Sequence, residues 1–161
     1  MAERCARFEL VSEDIFKEKL AELGITSHEP VKLPQRATAG SAVYDFFIPF
    51  DAEVPPGGSI TVPTGVRAHI NEGWFLMIAP RSGLGTRFRF GLDNTVGIID
   101  SDYYDSPNEG HIIIKLTNGS ADKTISLTAG TAFAQGMFIP YGITEDDCTD
   151  TRRNGGFGST G

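Results

Sequence analysis

The sequence predicts an all-β protein of the sandwich, jelly-roll or barrel kind, with one short helical insert after its first strand. Short runs rich in Val, Ile and Phe recur at close spacing, each bounded by Gly, Pro, Asn or Asp. Only "SEDIFKEKLAELG", which begins at Ser12, carries a helical period instead.

In chain order, "RFELV" reads as the first strand. The helix follows, with Ser12 as N-cap, Ile15, Phe16, Leu20 and Leu23 on one face, and Gly24 as its stop. The insert as a whole spans about residues 12–27. Then "VYDFFI", "SITV", "GVRAHI", "WFLMIAP", "VGII", "HIIIKLT", "KTISL" and "TAFAQGMFIP" read as strands, too many and too closely spaced for a helical or α/β fold. No repeat or linker divides the chain. Residues 1–161 are therefore expected to form one domain that ends in a Gly-rich arm over about 150–161.

Hydrophobic residues make up 40% of the chain, enough to build a core. No apolar run approaches the roughly 20 residues that span a bilayer, and Met1 to Leu10 lacks the apolar stretch of a secretory signal. A cytoplasmic location is expected. Cys5 and Cys148 then read as free thiols. The formal charge of −7 excludes a general nucleic-acid binder, since phosphate contacts need a basic face. A small anionic ligand remains open wherever cations converge locally.

Three Gly-bearing segments stand out from ordinary hairpin turns. In "APRSGLGTRFRF", Arg81, Ser82 and Gly83 offer a guanidinium, a hydroxyl and a backbone that a ligand can approach, which is what phosphate oxygens require. A strand end with a β-turn is the alternative. In "DNTVGIIDSDYYDSPNEGHIIIK", Asp100 and Asp102 have the period-two spacing that would point both to one face of an extended chain. Either carboxylate could take a proton from water, and Tyr103 offers a flat face for a sugar or base. An Asp-rich turn is the alternative here. In "TAFAQGMFIPYG", Gln135 interrupts an apolar strand, so its amide needs either a backbone partner or a ligand.

Together these segments resemble a known family. "ATAGSAVYDF", "PRSGLG", "NTVGIIDSDYY", "AFAQGMF" and "RRNGGFGSTG" stand in the order of the five motifs of the trimeric deoxyuridine triphosphate nucleotidohydrolases, the dUTPases. The likeness runs from about Pro30 to Gly161 and includes the first strand; the helical insert lies outside it. The resemblance implies a distorted β-barrel or jelly roll and a homotrimer with shared active sites. It implies Mg²⁺-dependent hydrolysis of dUTP to dUMP and pyrophosphate, by water attack on the α-phosphorus. That reaction limits uracil incorporation into DNA and supplies dUMP for thymidylate synthesis.

By the same resemblance, Asp100 orients and deprotonates the attacking water. Tyr103 packs on the deoxyribose and excludes a ribose 2′-hydroxyl. Asn94 and the hairpin around it, including Gly97, read uracil. Ser82, Gly83 and Gln135 hold the α-phosphate region together with Arg81, and Asp45 helps to place a hydrated Mg²⁺ held mainly by the triphosphate. In the arm, Phe157 covers the base, while Arg152, Gly158, Ser159 and Thr160 reach the phosphates.

The chain departs from the family pattern at several points. Val43 stands where Gly is usual, Arg153 replaces a Gly in the arm, the acidic "TEDDCTD" precedes the arm, and the turn after Tyr103 is longer by about four residues. Two alternatives stand beside this reading: a dCTP deaminase of the same fold, which typically has Ser in place of Gly83 and lacks "IDSDY", and a nucleotide-sensing regulatory protein.

Overall fold

Strand β1 (Ala6–Leu10) opens the chain in the computed structural model, which describes residues 3–151. Helix α1 (Glu13–Glu22) follows, then β2 (Tyr44–Phe47), β3 (Ala52–Val54), β4 (Ser59–Pro63), β5 (Val66–Ile70) and β6 (Trp74–Pro80). A second helix, α2 (Ser82–Phe88), leads into β7 (Phe90–Leu92) and β8 (Gly97–Ile99). A 3₁₀ turn (Ser101–Asp105) precedes β9 (Ile113–Asn118), β10 (Ile125–Leu127) and β11 (Ala132–Pro140).

All strand pairs are antiparallel, as short strands joined by turns allow. The sheet that positions the site runs β2-β11-β6-β8, beside a three-stranded β4-β9-β7 sheet and the pairs β1-β5 and β10-β3. Strand β6 alternates as a half-buried strand must. Leu76 and Ile78 are buried, whereas Phe75, Met77 and Ala79 point to the other face and stay partly exposed. Phe46, Phe90, Phe133, Ile48, Ile112, Leu116 and Ile125 complete the core, each contributing roughly 1.5–3 kcal/mol by burial.

Helix α1 forms as expected: the Ser12 hydroxyl accepts from the Ile15 N–H at 3.4 Å, and Glu13 and Asp14 lie at its positive end. Gly24, at φ +70°, ends it. Its apolar face is narrower than predicted. Phe16 and Leu20 are buried, but Leu23 is the cap residue beyond the last full turn and remains exposed.

Other expectations need correction. The segment after Pro80 is neither a plain strand end nor a β-turn but helix α2. Two glycines in "SGLGTRF" mask it in the sequence; Leu84 and Phe88, four apart, hold it by packing against the core. Strands β3 and β7, each three residues long, lie in none of the runs read as strands. The backbone at Val43 is not left-handed, so replacing Gly there imposes no strain. Both cysteines are free thiols, Cys5 buried and Cys148 exposed. No helix among the described residues is long and apolar enough to cross a membrane.

Gly65 and His111 lock the β4-β5 corner. The Gly65 N–H donates to His111 Nε2 at 2.9 Å, and the imidazole is only 1% exposed. Gly65 is left-handed at φ +71°, and a Cβ there would lie 2.6 Å from Val31 Cγ2 and 3.4 Å from Phe16. Gly65→Ala is therefore expected to lower unfolding free energy by about 2–4 kcal/mol, read from urea midpoints.

Burial holds the His111 pKa down, from 6.5 to about 4. As pH falls, the unfolded chain therefore takes up this proton before the folded one does. The effect is nil above 6.5, grows as pH drops towards about 4, and is constant below. His111→Gln should reduce the acid-side loss of stability across that window, measured by urea midpoints at stepped pH.

Candidate active site

The sheet register gathers one group of the expected residues at the C-terminal end of β6. Gln135 on β11 pairs with Asp45 on one side and with Ala79 on the other, so Asp45 and Gln135 share a face. Asp45 holds the Arg81 guanidinium just beyond the strand, with Nε to Oδ1 at 3.1 Å and a second contact to Oδ2 at 3.5 Å. The Gln135 Nε2 donates to the Pro80 carbonyl at 3.0 Å, so the backbone partner anticipated for it is real and fixes the amide at this corner. Ser82 and Gly83 follow in the exposed first turn of α2, with open space above Gly83. These groups suit an anion: a guanidinium, an amide and a hydroxyl around an accessible backbone.

A second group assembles around the turn that joins β7 to β8, closed by a Leu92–Thr95 bridge. Asn94 and Gly97 border a pocket of about 270 Å3 whose walls are Ile78, Leu92, Ile99, Ile112 and Ile114. Gly97 must be small here, because a Cβ would stand 3.1 Å from that of Ile78. Asp93 and Lys115 close the rim and pair at 2.8 Å. Hydrogen bonds from Lys115 and Thr117 hold the Asp93 carboxyl below the usual carboxylate range. The sequence reading missed both rim residues; the only hint was the charge that ends the apolar run "HIIIK". A flat heterocycle with polar edges suits this combination of apolar walls and turn backbone.

Asp100 directly follows Ile99, one of the pocket walls, and is exposed. It is extended, at φ −75° and ψ 158°, where β8 hands over to the 3₁₀ turn. Asp102 lies inside that turn, so the common face expected of Asp100 and Asp102 does not exist; period two holds only in extended chain. Tyr103 also departs from expectation. It is 2% exposed, with its hydroxyl donating to the His111 carbonyl at 2.9 Å, so its ring is packed in place and is not an open platform. The residues after it cause this, because Asn108 Nδ2 reaches back to the Tyr103 hydroxyl at 2.9 Å.

Asp100 lies at the far end of β6 from the anion-binding corner, whereas Gly97, opposite Ile78, lies close to the level of Ala79. Ile99 faces Leu76, which places Asp100 towards the Phe75 end, whereas Asp45 and Gln135 align with Ala79. At about 3.3 Å per residue, Leu76 and Arg81 are about 17 Å apart along the strand. That is farther than an arginine reaches, so one chain does not bring Asp100 and Arg81 to one point.

No group of three or more His, Cys, Asp or Glu among the described residues could hold a metal ion. Asp45 offers one carboxylate, already beside Arg81. Such a donor set fits Mg²⁺ only when the ion keeps its waters and takes its other ligands from phosphate oxygens. Arg152, Phe157, Gly158, Ser159 and Thr160 lie outside the described residues.

Comparisons with known proteins identify the family. The dUTPase family model matches residues 29–161. The deoxyuridine 5'-triphosphate nucleotidohydrolase of Lactococcus lactis is 35% identical over 134 residues, covering 81% of this chain and 89% of its own. The solved dUTPase of Streptococcus mutans superposes with a TM-score of 0.65 at 33% identity, covering 86% of this chain and 98% of that one. A dUTPase of Staphylococcus bacteriophage 80alpha, solved with dUPNHPP, shares the fold at a TM-score of 0.66 and 19% identity, covering 99% of both chains. Matched by the family model over residues 29–161 and by relatives of 33–35% identity over most of its length, the chain belongs to the dUTPase family.

Proposed function

We propose that the chain hydrolyses dUTP to dUMP and pyrophosphate, with the pocket behind Asn94 and Gly97 taking uracil and the Asp45–Arg81–Gln135 corner taking phosphates. The observation that carries this is the position of Asp100, an exposed carboxylate at the edge of a pocket sized for one base. Asp100 takes the proton from a water as its oxygen bonds to the α-phosphorus. The α–β phosphoanhydride bond breaks, pyrophosphate leaves, and the proton passes from Asp100 to solvent. No covalent intermediate is needed.

Arg81 supplies positive charge to the triphosphate, and Ser82, the Gly83 backbone and Gln135 align its α-phosphate, which keeps the attack in line. Mg²⁺, when bound to the triphosphate near Asp45, neutralises further charge there. Tyr103 walls the deoxyribose. In the arm, Phe157 covers the base while Arg152, Gly158, Ser159 and Thr160 close on the phosphates. The consequence is less uracil in DNA and a supply of dUMP for thymidylate synthesis.

The same reading makes the protein a homotrimer with shared sites. Two observations support it: Asp100 and the Asp45–Arg81–Gln135 corner lie apart along β6 in one chain, and Phe75, Met77, Ile98, Met137 and Ile139 form an apolar, partly exposed face on the sheet that carries Asp45 and Gln135. Faces of that kind are covered in assemblies.

Incubation with dUTP or dCTP in the presence of Mg²⁺, with the products identified, tests the reading. Pyrophosphate and dUMP from dUTP are expected; ammonia from dCTP would make the protein a deaminase, and no turnover a regulator. Asp100→Asn should lower kcat by about 10²–10⁴-fold while dUTP binding, followed by calorimetry, persists. Deleting residues 155–161 should leave the size on a sizing column unchanged and cripple hydrolysis, since the arm is assigned to the ligand and not to the assembly.

A further inference from the structure

Two features of this chain lie outside the family pattern: helix α1, which precedes the matched residues, and the lengthened turn between Tyr103 and His111. Far apart in sequence, they are fastened together in space. Glu109 Oε2 accepts the Ser12 N–H at 2.7 Å, placing a carboxylate at the positive end of α1. This contact holds the Glu109 carboxyl below its usual range. One turn along the helix, the Phe16 ring meets the His111 imidazole edge-on, with centroids 6.1 Å apart.

The turn is held in a conformation that it would not adopt unaided. Glu109 has φ 58°, in the left-handed region that costs a non-glycine residue free energy. Gly110 is left-handed too, and a Cβ there would lie 2.8 Å from the Tyr104 Cα. From this turn the contacts lead straight to the sugar wall, because the His111 carbonyl accepts the Tyr103 hydroxyl and Asn108 donates to the same oxygen. Tyr104 is tied down separately, by its hydroxyl on Glu9 at 2.6 Å and by the Arg67 guanidinium 4.3 Å from its ring centre.

We propose that the clasp between α1 and the Glu109–His111 turn positions Tyr103, making Glu109 and Phe16 positioning residues for the discrimination of deoxyribose from ribose. This rests on the reading of Tyr103 as the sugar wall. An aromatic wall rejects a 2′-hydroxyl only if it cannot move aside, and here its hydroxyl is anchored to the backbone of the turn that α1 holds. The insert and the longer turn thus form one device, built from both ends of the chain's departure from its family.

The test measures kcat/KM for dUTP and UTP, and the inhibition constant of UTP against dUTP, in Glu109→Ala, Glu109→Gln and Phe16→Ala, with urea midpoints and sizing alongside. Glu109→Ala should cut the preference for dUTP by about fivefold, the scale of one lost hydrogen bond. Glu109→Gln should retain the wild-type preference, because its amide oxygen still accepts from Ser12. Phe16→Ala should lower the preference from the helix side without altering the turn. An unchanged preference in folded Glu109→Ala overturns the proposal, even if its stability falls, since the contact is then only structural; should Phe16→Ala fail to fold, Glu109→Ala decides alone. Asp100→Asn run in parallel separates the two readings: full turnover there sinks the assigned chemistry, whereas loss of turnover with an unchanged Glu109→Ala preference sinks the clasp alone.

Discussion

Strand β6 is the element on which the site depends. It is paired on both sides, with β11 and with β8, so its seven residues act as a ruler between the anion-binding corner and Asp100. The register cannot slip by one residue without turning Leu76 and Ile78 out of the core. Hydrophobic burial therefore fixes the separation of Asp100 from that corner, far more strongly than any contact between functional side chains does. Under the proposed function the site is completed by another copy, and the apolar outer face of the same sheet offers a surface for it.

Legibility in the sequence followed the strength of the local signal. "WFLMIAP" has apolar residues on both faces and a terminal Pro, and β6 occupies those residues; "TAFAQGMFIP" and β11 differ by one at the start. Helix α1 was legible for the opposite reason, since its cap and stop are local chemistry. Strands β3 and β7 were not: the equally short β8 and β10 stand in the runs "VGII" and "KTISL", whereas "AEV" and "FGL" interrupt their apolar residues with Glu and Gly, and only pairing with β10 and β9 makes them strands. Helix α2 was hidden because its support is tertiary: Leu84 and Phe88 lean on the core, while its glycines argue against a helix. Arg89, left-handed at φ 52°, ends it where glycine would be the ordinary choice.

The site divides in the same way. Asp45, Arg81, Gln135, Asn94, Gly97 and Asp100 were visible because their motifs are contiguous in sequence. Asp93 and Lys115 were not, since the pocket rim exists only after β9 pairs with β7. Asp102 misled because two carboxylates two apart look paired in an extended chain, and the 3₁₀ turn that separates them is set by the crowded loop behind, where Ser106 and Asn108 bond each other and reach Tyr103. Glu109 gave no signal at all. Its partner is a backbone N–H at the other end of the chain, and no local pattern encodes that.

Under the proposed function, the Arg81–Asp45 pair is what lets an acidic protein receive a polyanion. With a formal charge of −7, the chain repels a triphosphate at long range, so attraction must be local. Arg81 is about half exposed, and one of its two contacts to Asp45 is long. Pairs of this kind contribute about 0–1 kcal/mol, so turning the guanidinium from carboxylate to phosphate forfeits little. Asp45 meanwhile keeps the side chain extended over the end of the sheet, so the entropy of ordering it is already lost before ligand arrives. A tighter, buried pair would resist the exchange, and an unpaired arginine would have to be ordered at binding. The half-exposed pair lies between these limits, where a cation is both aimed and releasable.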